Sequence, residues 1–92
     1  MTEGWDWEFT ARAEDEFADL DAAVQRQLLK KLDEAVSDEF RDPPDFLKPL
    51  TGLPYGSLRS GDYRAIIDVD RDGQLLWVMS VGHRDDVYDN FP

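Results

Sequence analysis

The chain has 92 residues, with 21 acidic and 10 basic side chains, one histidine and no cysteine. This length allows one small domain with a modest core, here taken as residues 1–92. The absence of cysteine excludes a disulfide framework and thiolate metal sites, and a lone histidine argues against a histidine-based metal centre, so we expect no metal or other cofactor. No apolar run approaches the roughly 20 residues that span a membrane. The first residues have neither the basic start nor the apolar core of a signal peptide, so we expect a cytoplasmic protein that makes no contact with membranes.

The negative charge is spread along the whole chain. The first 50 residues hold 14 acidic and 6 basic side chains, and the remaining residues hold 7 and 4, for a net charge of −11. An acidic surface can bind a partner, or it can reflect adaptation to a salt-loaded cytoplasm in which self-repulsion is screened. We favour adaptation to salt because both halves are acidic. A nucleic-acid partner is still allowed, since a local basic patch can bind phosphates.

The N-terminal segment is predicted to be a short strand. Trp5, Trp7 and Phe9 alternate with Asp6 and Glu8, which places three aromatic rings on one face of the strand. Core packing is the default interpretation of such a stripe. The alternative is an aromatic platform on which nucleic-acid bases stack.

Two helices are predicted next. Thr10 can cap the first and Asp21 the second. The second helix carries an apolar stripe at helical spacing, made of Val24, Leu28, Leu32, Ala35 or Val36, and Phe40. Lys30 and Lys31 lie away from that stripe, and we interpret them as solvated surface, with contact to nucleic acid or the ribosome as the alternative. The pattern indicates two antiparallel helices packed on a sheet.

The second half of the chain predicts strands. Pro43 and Pro44 end the helix, and the apolar loop after them is expected to pack against the domain. Strands are predicted at 57–60, 63–69 and 74–81, with turns at Gly61-Asp62 and at 70–73; residues 85–92 are too short for a substantial final helix. The fold class is therefore α+β: an N-terminal strand, two antiparallel helices and a three-stranded antiparallel meander.

Three segments carry a family resemblance: Leu50-Thr51-Gly52-Leu53, Leu58-Arg59-Ser60-Gly61-Asp62-Tyr63-Arg64 and Val81-Gly82-His83-Arg84-Asp85-Asp86-Val87-Tyr88. With the order of elements, they resemble the RelE branch of the RelE/ParE toxin superfamily. The resemblance covers essentially the whole chain and is most specific in the C-terminal half. The acidic composition is similar to that of members from salt-loving archaea. A RelE-like sandwich is the implied fold.

The resemblance implies a toxin of a type II toxin–antitoxin module. Such RelE toxins enter the ribosomal A site and cut mRNA by attack of the ribose 2′-OH on the adjacent phosphate. Its implied partners are a cognate antitoxin, in a hetero-oligomer, and the ribosome with its mRNA. The reaction needs a group that removes a proton, a group that stabilises charge on the phosphorane and a group that helps the 5′-oxygen leave.

Matching positions assign roles to individual residues. By resemblance, Arg64 stabilises the phosphate, Arg84 acts near the leaving group, and Tyr88 stacks on the substrate base. Arg59 matches a basic position that lines the same concave sheet. Arginine suits these roles because its planar fork holds phosphate oxygens and stays charged.

The chain departs from the family pattern just upstream of these arginines. Tyr55 and Ser57 occupy positions where well-studied members carry basic side chains, and we place both among the substrate-binding residues. His83 is the candidate that substitutes as the base, because imidazole titrates near neutral pH.

Structural interpretations of the same residues remain open. Arg64 can pair with Asp68 on the same strand face, and Arg84 can be a surface charge beside its acidic neighbours. Tyr88 can be a packing tyrosine, and His83 a spectator at a strand end.

Two other functions are retained as alternatives. A catalytically degenerate member, or a ParE-like toxin that binds DNA gyrase, would act as a binding module without RNase activity. A ribosome-independent RNA-binding protein ranks last, because the chain lacks the interleaved aromatic and basic residues of single-strand binders.

Overall fold

The computed structural model describes residues 4–38 and 40–88. In chain order the elements are β1 (Asp6–Phe9), α1 (Ala11–Ala18), α2 (Ala22–Ser37), a 3-10 helix (Pro43–Phe46), β2 (Lys48–Pro49), β3 (Gly56–Ser60), β4 (Tyr63–Asp70) and β5 (Leu75–His83). Residues 84–88 form turns, and the rest of the predicted C-terminal segment, 89–92, lies outside the described residues. Within the described ranges, none of the helices has the length and hydrophobicity needed to cross a bilayer.

The strands form one mixed sheet in the order β1-β5-β4-β3-β2. The α+β class and the antiparallel meander of β3, β4 and β5 are confirmed. Two features differ from the sequence prediction. β1 pairs parallel to β5, because the helices carry the chain back over the sheet between the two strands. The additional strand β2 is only two residues long and contains a proline, so it has no periodic signal.

The core lies between the two helices and one face of the sheet. Leu28, Leu32 and Ala35 of α2 are fully buried, and so is Val78 of β5. The predicted N-terminal aromatic residues are partly buried and pack against this core, as the default interpretation required: Trp5, Trp7 and Phe9.

Both predicted helix starts are placed correctly, although the two caps differ. The Thr10 hydroxyl accepts a hydrogen bond from the Ala13 N–H at 3.2 Å and so caps α1. Asp21 occupies the cap position of α2 but makes no capping hydrogen bond with its side chain.

The assignment of Phe40 to the apolar stripe of α2 is wrong. The helix ends at Ser37, and Phe40 is 93% exposed. The Asp38 carboxylate accepts hydrogen bonds from the N–H groups of Phe40 and Arg41 at 2.7 and 2.8 Å, which turns the chain away from the helix axis. The loop that follows packs down at Phe46, as expected.

Both predicted hairpin turns are present. The turn between β3 and β4 is Gly61-Asp62, and Gly61 has a φ of 59°, which suits glycine at the first position of a type II′ turn. The turn between β4 and β5 spans residues 71–74. There the residue with positive φ is Gln74, at 53°, although the sequence singled out Gly73.

Candidate functional site

The candidate site lies on the face of the sheet that the helices leave uncovered. Along β4, Ala65 and Ile67 point into the helix-packed core, so Arg64, which directly precedes Ala65, points to the other face. Arg59 of β3 is the direct cross-strand partner of Arg64. Side chains of such partners lie on the same face of a sheet, so both arginines project from this uncovered face.

A cleft of about 550 Å³ opens over these arginines. Its lining is Phe46, Lys48, Pro49, Leu50, Thr51, Ser57, Arg59, Arg64, Arg84 and Tyr88. Four of these ten side chains are cationic and none is acidic, although acids outnumber bases twofold in the chain. The cleft is therefore a local positive site on a negative molecule, which suits an anionic ligand.

Hydrogen bonds to the turn between β3 and β4 hold Arg64 in place. Its Nη1 donates to the carbonyls of Gly61 and Tyr63 at 2.8 and 2.9 Å. Within the described ranges Arg64 forms no ion pair, so the alternative interpretation, a bridge to Asp68, is not observed. Arg59 is exposed and likewise has no acidic partner among the described residues. Because like charges directly opposite one another destabilise a sheet, the pair is better explained by a bound anion than by structure.

The turn after β5 brings the C-terminal candidates to the cleft. Val87 is buried at 3% exposure and lies over Gly82, where a Cβ would be 3.5 Å from the valine Cβ. The Val87 N–H donates to the His83 carbonyl at 2.9 Å, so the chain folds back on the end of the strand. The Arg84 N–H donates to the Asp62 carbonyl at 2.7 Å, which ties this turn to the turn between β3 and β4.

Arg84 and Tyr88 reach the cleft from this anchored turn. Both line it, and Tyr88 is 41% exposed, so one face of its ring is accessible to a ligand. The Arg84 Nε is 3.9 Å from a carboxylate oxygen of Asp85, and both side chains are largely exposed. Such an exposed pair is weak and leaves the guanidinium available to a stronger anionic partner.

His83 lies on the opposite face of the sheet from Arg64. It is the cross-strand partner of Tyr63, and the two rings meet edge to face with centroids 5.4 Å apart. Its Nδ1 lies 3.5 Å from a carboxylate oxygen of Asp85. The structure therefore does not bring His83 to the arginine cleft.

The chain departs from the family pattern at two positions, Ser57 and Tyr55, and these residues lie in different places. Ser57 is buried at 6% exposure and lines the floor of the cleft. Tyr55 is not part of the lining; it precedes β3, and its carbonyl accepts a hydrogen bond from the Leu50 N–H at 3.0 Å.

Sequence reasoning missed Lys48. It lines the cleft from β2 and is the cross-strand partner of Ser57. Its neighbours in sequence show no strand pattern, so position alone did not suggest a role. The available signal was its rarity, because the chain has only three lysines.

A family model described as the ParE toxin of the type II toxin-antitoxin system, parDE, matches residues 7–88. A comparison with curated proteins found no match.

Solved structures give a second line of comparison. The isolated E. coli RelE toxin is 32% identical, with 86% of this chain and 83% of that chain covered and a TM-score of 0.66. The RelBE2 toxin–antitoxin complex from Mycobacterium tuberculosis has a TM-score of 0.74 at 23% identity, covering 88% of this chain and 99% of that chain. The RelB–RelE complex from Methanococcus jannaschii has a TM-score of 0.68 at 21% identity, covering 91% and 98%. The last two comparisons establish similarity of fold only.

Proposed function

Because this chain belongs to the ParE toxin family of type II toxin–antitoxin systems, within the RelE/ParE superfamily, we propose that it is a toxin that cuts mRNA on the ribosome. The observation that carries the proposal is the pairing of Arg59 with Arg64 in a cleft whose described lining has four cations and no acid. A phosphodiester is the anion whose oxygens such arginines hold best.

The proposed reaction begins with the scissile phosphate held by Arg59 and Arg64. The ribose 2′-oxygen attacks phosphorus and gives up its proton, the bond from phosphorus to the 5′-oxygen breaks, and that oxygen takes up a proton. The products are a 2′,3′-cyclic phosphate and a 5′-hydroxyl. Arg64 stabilises the charge on the phosphorane, and Arg84 stabilises the leaving oxygen. Tyr88 stacks on the neighbouring base and fixes the geometry of attack.

Positioning and charge carry most of this mechanism. Among the described residues, none of the side chains that line the cleft is a carboxylate or an imidazole. Because His83 is on the other face of the sheet, we do not assign proton transfer to it. The ribosome, which the toxin needs for cutting, would complete the alignment of the mRNA.

A cognate antitoxin is the proposed regulator. The solved E. coli RelBE and Methanococcus jannaschii RelB–RelE structures are toxin–antitoxin complexes. We infer that an antitoxin binds this chain in a hetero-oligomer and covers its basic and apolar surface with a segment that folds on binding. The site of action is then the cytoplasm, where ribosomes translate.

A ParE-like binding module is the second candidate function. The description of the matched family model and the absence of an evident base from the cleft favour it. Such a toxin would act by binding DNA gyrase, and the arginine cleft would bind a partner without cutting RNA.

The test is primer extension on a defined mRNA in a translating extract at high KCl, with wild type, Arg64→Ala and Arg71→Ala. Arg71 is a matched control because it is an exposed arginine in the turn between β4 and β5, outside the cleft. We expect cuts inside the reading frame that require ribosomes, that persist in Arg71→Ala and that fall at least a hundredfold in Arg64→Ala, the scale of loss for one charge-stabilising group.

Two outcomes would overturn the nuclease. One is an Arg64→Ala protein that still cuts like wild type. The other is a folded wild-type protein that makes no cuts, and a supercoiling assay with gyrase would then test the binding-module function.

A further inference from the structure

We propose that Lys48 is a substrate-binding residue of the cleft, which contacts a phosphate of single-stranded RNA adjacent to the phosphate held between Arg59 and Arg64. This inference rests on the proposed function, because it names a further contact to the same RNA. It differs from that function in being a claim about binding, which can be measured without cleavage.

The position of Lys48 on the sheet supports a contact to a neighbouring phosphate. Lys48 is paired with Ser57, and Ser57 is two residues before Arg59 on β3. With strands about 4.8 Å apart and a rise of about 3.4 Å per residue, the Cα atoms of Lys48 and Arg59 are about 8 Å apart. That separation is comparable to the spacing of successive phosphates in an extended strand, so the two side chains can bind adjacent phosphates. The cations thus form a track across β4, β3 and β2.

The backbone around Lys48 is held on both sides. A Cβ at Gly56 would lie only 2.8 Å from the Leu47 Cβ, so the glycine permits the close approach of β2 to β3. Leu47 packs against the core on one side of Lys48, and on the other the Leu50 N–H donates to the Tyr55 carbonyl at 3.0 Å. An edge strand of two residues is therefore anchored where its lysine faces the cleft.

The charge of Lys48 has no partner in the part of the chain that the structure describes. Lys48 is exposed and lies beside three arginines and no carboxylate. These four grouped cations repel one another, and a bound anion relieves that repulsion. A lysine ammonium is a compact charge on a flexible stem, which suits a phosphate whose position varies with the bound sequence.

The experiment measures binding of a fluorescein-labelled RNA hexanucleotide that carries 2′-O-methylribose at every position and so cannot be cleaved by 2′-OH attack. Fluorescence anisotropy gives the affinity across a KCl series for antitoxin-free wild type, Lys48→Gln, Lys48→Arg and Arg71→Gln. We expect the salt slope of log K for Lys48→Gln to be shallower than that of wild type by about 0.7, the loss of one phosphate contact in single-stranded nucleic acid. Lys48→Arg should keep the slope, and Arg71→Gln, which removes the same charge elsewhere, should leave it unchanged.

The outcomes separate this inference from the proposed function. A Lys48→Gln slope equal to that of wild type overturns the inference, whether or not the protein cuts mRNA. A shallower slope in Lys48→Gln alone supports it, even if primer extension finds no cuts and the nuclease is rejected. Equal losses in Lys48→Gln and Arg71→Gln would mean that net charge alone drives binding, and would also overturn it. Thermal melting of each variant confirms that the comparison is between folded proteins.

Discussion

At the scale of single residues, the grouping of like charges in the candidate site lowers the local stability of the sheet. Arg59 and Arg64 are directly opposed on β3 and β4, an arrangement that a sheet without a ligand does not favour. The Arg64 guanidinium is fixed by two backbone carbonyls, whereas the Arg59 side chain makes no hydrogen bond or ion pair in the described part of the chain. This gives the two arginines separate roles in the proposed site: Arg64 is preorganised, and Arg59 adapts to the bound phosphate.

We predict that Arg59→Ala stabilises the fold at low salt while it weakens RNA binding. Relief of the like-charge pair should raise the free energy of unfolding by about 0.2–1 kcal/mol, and Arg59→Glu should raise it further by forming an opposite-charge pair with Arg64. Urea unfolding at low ionic strength measures whether the free energy of unfolding rises or falls in each variant. Arg71→Ala is the control, because loss of that arginine between Asp70 and Asp72 should leave stability unchanged or lower it. Destabilisation by Arg59→Glu would contradict the account.

At the scale of elements, α1 provides hydrogen-bond acceptors to β5 beyond the end of β1. β1 ends at Phe9, opposite Val78, so β5 continues beyond its parallel partner. Glu16 of α1 covers this exposed edge. Its Oε1 accepts two hydrogen bonds, from the Ser80 hydroxyl at 2.7 Å and from the Val81 N–H at 3.1 Å. The helix thus holds the end of β5 that leads to Arg84 and the cleft.

We predict that Glu16→Ala lowers the free energy of unfolding by about 1–3 kcal/mol, because it leaves the Ser80 hydroxyl and the Val81 N–H without an acceptor. Glu16→Gln keeps an acceptor oxygen and should cost less. Asp15→Ala, at an exposed site on the same helix, is the matched control. Urea unfolding measures the free energy of unfolding of each variant. If Glu16→Ala and Asp15→Ala are equally stable, the carboxylate does not hold the strand.

At the scale of the whole molecule, charge is segregated. The net charge is −11, yet the cleft lining within residues 4–38 and 40–88 holds four cations and no acid. At low ionic strength the long-range field repels RNA, and only at short range does the cleft attract a phosphate. Salt shortens the screening length to about 3 Å at 1 M, which suppresses the repulsion from distant acids more than contacts inside the cleft.

We predict that the melting temperature rises between low salt and molar KCl, because screening relieves repulsion among the acidic side chains. A melting series in KCl, followed by circular dichroism, measures this directly. Most of the rise should come at the lowest salt concentrations, where the screening length changes most. A melting temperature that does not rise with KCl would argue against salt adaptation and in favour of an acidic surface that binds a partner.

Local pattern alone identified most of the elements. Alternation predicted β1 and β4, helical spacing predicted α2, and Gly61-Asp62 predicted the hairpin turn, because each signal depends on residues close together in sequence. The resemblance to RelE toxins pointed to Arg59 and Arg64, and the hairpin places them opposite each other across a two-residue turn.

Other features were decided only by the tertiary structure. The parallel pairing of β1 with β5 depends on how the helices cross the sheet, and β2 exists only because Gly56 lets the chain approach β3. The same long-range pairing places Lys48 inside the cleft and His83 outside it. Alternation within a strand decides which face of the sheet a side chain occupies. The register between strands decides which residues share that face, and packing between distant segments sets the register.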